Sequence, residues 1–449
     1  MRFLHLMMLC SSLTLLASCA PFESLMMQDE PVAESTPIVH KNRWWQAFHD
    51  PLMDALAEDV LAQNLDVKIA SARVREARAG LALAQASFLP DISAKGTASR
   101  TNTPIGLVKP ASIAQGGFDT VWEWDMFGQL EAQEDAAQQR LSASEARRED
   151  VVNSVIAELM RSIVNLRQAQ QTLEESRALL DNHDTQIALI AARAKAGLID
   201  HTLLARAQAE RAQTATQLPI AQAMHDGAIY HIEQLMGVPS GALRERILST
   251  QGKLAVPPAS ETINITLESM RDRPDIRSAR SDMLAVKSDL AKAEADLWPR
   301  ISIKSFFGVQ EGSEGLPVAA NPLWSLSGGI TMPILNFGRL HRAIDAADAR
   351  VQSAIAGYER ASLIALAETN TALSDYVTGI NAVEHQEDAF ALRTHTVQLA
   401  TTRYERGFTD MTDLTTAQSE LNQATLLLIA RKATVAQAYI RLHKALGFR

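Results

Sequence analysis

The sequence predicts an α+β fold in which long coiled helices and short strand pairs each occur twice along the chain. Three observations support it: a composition suited to helices, an internal repeat, and short segments of two-residue alternation. Of the 449 residues, 47% are hydrophobic but only 5% are aromatic, which is typical of long helices. The formal net charge of −9 provides no basic field for a phosphate backbone, so nucleic acid is excluded as a partner.

Residues 1–18 predict a secretory signal peptide. Arg2 is followed by a mainly apolar run that ends at Leu16, and small residues precede Cys19, as in cleaved signals. The run is too short to span a bilayer stably. Leu16-Ala17-Ser18-Cys19 resembles the bacterial lipobox, which implies a lipid such as palmitate on Cys19. Ala20, in place of Asp, implies sorting to the outer membrane. The alternative is an ordinary signal peptide with a chance cysteine.

The segment that follows is interpreted as a lipidated N-terminal tether over residues 19–40. It contains Pro, Ser, Glu and Asp with little periodicity, which indicates an extended linker. The chain has 2 cysteines, Cys10 and Cys19, so the remaining sequence offers no disulfide and no thiolate metal site.

An internal duplication organises the rest of the chain. Arg193–Gly237 aligns without gaps on Arg403–Gly447, and Asn64–Lys95 aligns on Arg273–Lys304. Each half has the same predicted order: helix, proline, strand pair, Phe-Gly, very long helix, glycine turn, second helix. We assign residues 41–240 to the first repeat, 241–262 to a linker and 263–449 to the second repeat.

The long helices have a seven-residue apolar repeat. Neither proline nor glycine interrupts Gln129–Lys195, which would form a rod of about 100 Å at about 1.5 Å per residue. A strict heptad favours left-handed supercoiling, and by itself it would fit a soluble coiled-coil protein. The heptad positions are Val152, Leu159, Leu166, Leu173, Leu180 and Ile187 in the first half, and Leu414, Leu421, Leu428, Val435 and Leu442 in the second.

Four segments alternate with period two, which indicates strands with one dry and one wet face. In a secreted lipoprotein this pattern fits a membrane barrel with apolar residues outward and polar residues toward the lumen. Trp122, Trp124 and Trp324 lie near strand ends, where an aromatic girdle is expected. The alternative is two exposed hairpins in a periplasmic protein. The apolar positions include Ile92, Ala94, Phe118, Ile301, Ile303, Leu326, Ile330 and Met332.

Four strands cannot close a barrel, and open sheet edges are not tolerated in hydrocarbon because unpaired backbone groups are costly there. Bacterial barrels have even strand numbers from eight upward. A membrane role therefore requires a homo-oligomer of at least two chains.

Five motifs, in this order over a duplicated frame, resemble the outer membrane efflux protein family, the TolC-like outer membrane factors, in its lipoprotein (NodT-like) branch. The resemblance covers nearly all of residues 41–449. The motifs are Trp44-Trp45-Gln46-Ala47-Phe48-His49-Asp50-Pro51, Trp122-Glu123-Trp124-Asp125-Met126-Phe127-Gly128, Arg273-Pro274-Asp275-Ile276, Asn336-Phe337-Gly338-Arg339 and Arg403-Tyr404-Glu405-Arg406-Gly407.

The resemblance implies a homotrimer that contributes four strands per chain to a 12-stranded transmembrane β-barrel in the outer membrane. Its helices would continue the barrel as an α-barrel across the periplasm, where a periplasmic adaptor and an inner-membrane pump dock. The chain would then be the passive exit duct of a tripartite efflux system. Two alternatives stay open: a type I protein-secretion duct, and a coiled-coil envelope lipoprotein without a pore.

Gly197 and Gly407 are expected to end the long helices at the periplasmic tip in left-handed geometry, followed by Asp200 and Asp410 as helix caps. The alternative is a flexible break inside a continuous helix. By the resemblance, Asp413 matches an acidic residue that constricts the periplasmic entrance. Three copies around an axis would form a ring that favours cations.

The gate expected from the resemblance also involves Asp410, Tyr404 and Arg403. Thr416 departs from the family, where a second Asp is frequent, and Leu203 occupies the position equivalent to Asp413 in the first half. Asp413 could instead interact only with the helix dipole.

Enzymatic interpretations have no support in the sequence. It contains no phosphate-binding glycine loop, no nucleophile elbow and no His-Glu-x-x-His zinc motif. The spacings of His225 with His231 and of His385 with His395 do not place either pair on one helix face as metal ligands. We expect no catalytic residue, no metal and no cofactor beyond the lipid on Cys19.

Overall fold

The computed structural model describes residues 43–101, 111–197, 199–250, 252–257, 270–312, 321–409 and 411–447. The predicted signal peptide, the tether with Cys19, and the gate residue Asp410 lie outside these ranges. The assigned linker contains a short described helix at Arg244–Ser249.

Helices dominate the structure, and one small sheet interrupts them twice. The elements are a 3₁₀ turn (Trp44–Phe48), α1 (Pro51–Gln63), α2 (Leu65–Ala86), β1 (Asp91–Thr101), β2 (Ala111–Trp124), α3 (Gln129–Lys195), α4 (His201–Ala215), α5 (Gln217–Leu235), α6 (Arg244–Ser249), α7 (Pro274–Ala295), β3 (Arg300–Gly312), β4 (Asn321–Thr331), α8 (Arg339–Glu405) and α9 (Met411–Ala445).

The internal duplication is confirmed by the element bounds. α3 and α8 each have 67 residues, and their bounds differ by the predicted offset. α2 and α7 each have 22 residues. The absence of Pro and Gly in Gln129–Lys195 therefore predicted one continuous helix correctly.

The helices pack side by side in a row. In one half of their length α3 and α8 pack with α2 and α7, in the order α2, α3, α7, α8. In the other half they pack with α4, α5 and α9. α3 and α8 are therefore single long columns, and the other columns are pairs of helices stacked end to end.

The two end-to-end joints use equivalent positions of the repeat. At the first, the Asn64 side chain caps α2 by accepting from the Val67 amide at 3.0 Å, and its Nδ2 donates to the Leu235 carbonyl at 2.8 Å. At the second, Arg273 Nη1 donates to the Ala445 carbonyl at 2.7 Å. Each side chain satisfies a carbonyl that the end of a helix leaves open.

The two halves differ in the returning helix, where we expected one helix in each. The second half has the continuous α9, whereas the first half is broken between Ala215 and Gln217. Pro219 lies just after the break, and Ile429 occupies the equivalent position of α9. Proline lacks an amide hydrogen and clashes with the carbonyl four residues earlier, so an uninterrupted helix is disfavoured there.

The sheet is antiparallel, with strand order β1-β2-β3-β4. β2 pairs with β3 through Phe118 opposite Phe307, and this pairing joins the two halves of the duplication. β1 and β4, with 11 residues each, form the two edges.

The apolar core lies midway along α3. Ile156, Leu159 and Ile163 of α3 and Leu52 and Leu56 of α1 are fully buried, so the N-terminal segment packs onto the middle of the long helix. Within the described ranges, no helix combines the length and the apolar character needed to cross a lipid bilayer.

Candidate functional site

Both hairpin turns lie at the same end of the molecule. Gly197 and Gly407 have φ of 71° and 73°, and the long helices before them end at Lys195 and Glu405. Glycine adopts this left-handed geometry without the cost that a Cβ imposes. Asp200 then caps α4, since its Oδ1 accepts from the Thr202 amide at 3.3 Å.

An apolar cluster holds the two hairpins together near their turns. Its buried members are Ile190, Ala207, Met411 and Leu414, and half-buried side chains surround them, including Leu203 and Tyr404. Because the cluster draws residues from α3, α4, α8 and α9, the two turns are held as one unit.

The structure brings Tyr404 together with Arg193, a residue that the sequence analysis did not single out. Arg193 Nη1 donates to the Tyr404 hydroxyl, and its guanidinium carbon lies 5.4 Å from the ring centroid, within cation–π range. Arg403, which is also predicted to contribute to the gate, is exposed and lies in the last turn of α8.

Asp413 lies in the first turn of α9, and its side chain is exposed. The position equivalent to Asp413 in the first half is Leu203, which packs into the apolar cluster. The two halves therefore differ at this position in chemistry and in environment: the Leu203 side chain is half-buried against the apolar cluster, whereas the Asp413 side chain is exposed at the tip.

Charged side chains link α3 to α4 and α8 to α9 farther from the turns. Arg211 binds Asp184 through two hydrogen bonds, which lower the pKa of the Asp184 carboxyl. In the second half, Arg393 pairs with Glu420. The first-half equivalent of Arg393 is His183. Burial lowers the pKa of the His183 imidazole below its usual value.

A buried ion pair anchors the N-terminal segment at the middle of α3. Arg167 donates to both carboxylate oxygens of Asp50, at 2.7 and 3.0 Å, and to the Thr250 carbonyl at 2.8 Å. Both side chains are almost completely removed from water. Asp50 also caps α1 by accepting from the Leu52 amide at 2.9 Å. Sequence reasoning did not assign this role, although Asp50 lies within a quoted motif.

A cavity of about 570 Å³ lies beside the second helix joint. Asp150, Arg273, Glu368 and Lys444 contribute charged groups to its wall. Burial raises the pKa of Asp150 above its ordinary value, and the Asp275 carboxylate raises it further, whereas the cations of Lys444 and Arg273 act in the opposite direction. In the described residues, no cluster of His, Cys, Asp or Glu is arranged to hold a metal ion.

The strand register places the predicted apolar positions on one face of the sheet. Phe118 lies opposite Ala94 and Phe307, and Phe307 lies opposite Trp324, so these side chains share a face. The other face is mainly polar, and Lys95 and Asp119 form an ion pair across it at 3.8 Å. Exposed large apolar side chains on the first face include Ile92, Phe118, Trp124, Phe307, Val309, Trp324, Leu326 and Ile330.

The three tryptophans occupy different heights on that face. Trp124 is the last residue of β2 and Trp122 lies two residues earlier, where its indole nitrogen donates to the Phe88 carbonyl at 2.9 Å. Trp324 lies near the start of β4 and is 70% exposed. Trp122 and Trp124 are thus at the helix end of the sheet, and Trp324 is toward the opposite end.

A family model described as "Outer membrane efflux protein" matches the chain twice, at residues 56–238 and 268–448. The chain is 26% identical over 408 residues to "Nodulation protein T" of Rhizobium leguminosarum bv. trifolii, covering 90% of this chain and 87% of that protein. It is 25% identical to "Pyoverdine export outer membrane protein OpmQ" of Pseudomonas putida, covering 99% and 97%.

Among solved structures, the chain is similar to the outer-membrane channel OprN. The TM-score is 0.84 at 27% sequence identity, and the match covers 92% of this chain and 95% of that one. The similarity therefore includes the helices and the sheet together.

Proposed function

This chain belongs to the family of outer membrane efflux proteins, and on that basis we propose that it forms the passive exit duct of a tripartite efflux system. The family consists of outer-membrane channels, so the protein is not an enzyme. It is located in the outer membrane and extends into the periplasm.

The sheet is the observation that supports the proposal most directly. It has an exposed apolar face, a polar face and two edge strands of equal length. In hydrocarbon the backbone groups of both edges need partners, and β4 of one copy is suited to pair with β1 of another. Three copies would give a closed barrel of twelve strands with the polar face inward.

The helix row supports the same assembly. α2 and α8 lie at its two ends, and α8 carries exposed apolar side chains such as Leu363, Leu392 and Leu399. Soluble helices rarely leave such stripes in water unless a partner covers them. A homotrimer would close the row into an α-barrel that continues the strand barrel.

Membership of the family supports a proposal for the remaining partners. We propose that a periplasmic adaptor and an inner-membrane pump engage the end that carries Gly197 and Gly407, that the pump supplies the energy, and that Asp413 with Tyr404 and Arg403 lines the entrance. A lipid on Cys19 would add an anchor in the outer membrane. OpmQ is named for the export of pyoverdine, which favours small-molecule efflux over a type I protein-secretion duct.

A coiled-coil envelope lipoprotein without a pore is the alternative from another class. It would need no strands, yet four strands with one apolar face are present. The sheet therefore favours a channel.

The test is purification of the full chain from outer membranes, determination of its mass by native mass spectrometry, and conductance measurements in planar lipid bilayers. We expect trimers and discrete single-channel openings. A monomer, or a trimer that never conducts even after the tip is opened by mutation, would refute the duct.

A further inference from the structure

The duplication gives a template for how neighbouring copies meet. Within one chain, α7 packs between α3 and α8, and α2 packs on α3. The contact of α3 with α7 joins the first repeat to the second. In a closed ring, α8 of one copy meets α2 of the next, and these helices are the repeat equivalents of α3 and α7.

An aromatic contact marks the membrane end of this template. Phe127, just before α3, stacks on Trp298, just after α7, with centroids 5.5 Å apart and an interplanar angle of 11°. The equivalent of Phe127 is Phe337, which is 99% exposed. The equivalent of Trp298 is Leu89, which is 68% exposed. The template therefore leaves one apolar side chain uncovered at each end of the helix row.

Phe337 is also held in a backbone conformation with φ of 50°. This left-handed geometry is unfavourable for a bulky residue. A strained and exposed phenylalanine fits a side chain that is positioned for a partner outside its own chain.

A charge pair farther along the helices follows the same equivalence between the two repeats. Arg277 of α7 donates to Glu149 of α3. The equivalents are Lys68 on α2 and Glu359 on α8, which keep the two charge types. Both side chains are exposed.

At a neighbouring position, the contact within the chain has two like charges, and the equivalent contact between copies would have two opposite charges. Asp150 of α3 and Asp275 of α7 are like charges that both line the cavity beside the second helix joint, and the Asp275 carboxylate raises the pKa of Asp150. Their equivalents are Arg360 on α8 and Asp66 on α2, which are opposite charges. Elsewhere the polar pair of Lys292 with Gln133 at 2.7 Å becomes Leu83 and Ala343.

We infer that α8 of one copy packs on α2 of the neighbouring copy in the register of α3 on α7, with Phe337 against Leu89 and Glu359 paired with Lys68. Arg360 then faces Asp66. The inference rests on the homotrimer proposed above. The α3–α7 ion pairs of Arg140 with Asp289 and of Arg147 with Asp282 have no counterpart between copies, since Gly80 and Gly357 replace one partner of each.

Charge reversal tests the register in the full-length protein. Glu359→Lys and Lys68→Glu should each lower the fraction of trimer several-fold by native mass spectrometry, and the double variant E359K/K68E should restore it. The matched control is Glu174→Lys, the same charge change at an exposed site on α3, which is flanked on both sides by helices of its own chain.

Cross-linking gives a second, independent measurement. Cysteines introduced as Phe337→Cys together with Leu89→Cys should yield covalent dimers and trimers with a short thiol-specific reagent. Phe127→Cys with Leu89→Cys should yield only monomer bands. If wild type is trimeric but the double reversal fails to recover and no cross-link forms, the register is wrong and the trimer stands. A wild-type chain that is monomeric would instead overturn the homotrimer itself.

Discussion

Arg167 and Asp50 show how a single pair of side chains can position a whole segment. Both are buried, both oxygens of the carboxylate are bonded, and the guanidinium also reaches Thr250. A Cβ at Gly252 would lie only 2.7 Å from Arg167 Nε, so the chain after α6 closes over the ion pair. Removing one partner would leave a buried charge without compensation.

We predict that Arg167→Met lowers the free energy of unfolding by about 3–5 kcal/mol. Adding Asp50→Asn should recover part of the loss, because the amide is neutral and still accepts from the Leu52 amide. The measurement is the urea midpoint at fixed protein concentration, since assembly contributes to stability. Equal losses in the single and double variants would contradict the assignment to an uncompensated charge.

Asp413 is the residue whose role differs most between two interpretations. If three Asp413 carboxylates line the entrance, Asp413→Asn should reduce the preference of reconstituted channels for cations. If the carboxylate serves only the helix dipole, the variant should lower the melting temperature slightly and leave selectivity unchanged. The measurement is the reversal potential in a salt gradient. Asp388→Asn, which also removes an exposed carboxylate from the helical hairpin of the second half, is the control.

Among the strands, Gly117 of β2 allows β2 and β3 to approach closely. A Cβ on Gly117 would lie 2.4 Å from the Phe307 carbonyl oxygen, whereas a Cβ on the adjacent Gly116 would meet nothing within 4 Å. The Phe306 ring lies against the Gly117 site, with Cζ 2.8 Å from the same Cβ position. The strand pair that joins the two halves therefore depends on one glycine and not on its neighbour.

We predict that Gly117→Ala strongly reduces assembly in the outer membrane, because backbone atoms would have to move to accept the methyl group. Gly116→Ala should assemble at nearly the wild-type level. Heat-modifiable migration on gels, compared at equal expression, reports the folded fraction. Similar behaviour of the two variants would show that the close approach does not limit folding.

The sequence predicts a helix or strand correctly when the cause of that element lies within its own segment. Gln129–Lys195 was predicted correctly because the causes, helix formers and the absence of Pro and Gly, lie within the segment. The face of each strand followed from local alternation. The break near Thr216 was missed because the repeat alignment favoured one helix and the effect of Pro219 was not weighed.

Long-range contacts explain what could not be predicted at the site. The pairing of Arg193 with Tyr404 and that of Arg167 with Asp50 join residues far apart in the chain. Their proximity depends on how α3 packs against α1 and α9, and on how α9 packs against α8, which no single segment specifies. The turn positions, in contrast, followed from Gly197 and Gly407 themselves.

For the assembled protein, the N-terminal lipid anchor should matter for attachment to the membrane more than for folding. We predict that Cys19→Ser abolishes palmitate labelling while the protein still reaches the outer membrane and conducts. Cys10→Ser, which changes the only other cysteine, should retain the label. Labelling that persists in the Cys19→Ser protein would place the lipid elsewhere.

The equal lengths of α3 and α8 have a consequence for how such a chain can change during evolution. Both helices run between the sheet and the hairpin turns, and each has 67 residues. A seven-residue insertion in α3 alone would keep its apolar seam in phase but move the Gly197 turn by about 10 Å relative to Gly407. The cluster around Ile190 and Met411 would then be separated. Insertions and deletions are therefore tolerated only as matched sets, in both long helices and in the stacked helices beside them. The distance between the sheet and the hairpin turns can then change during evolution only when all of these helices change length together.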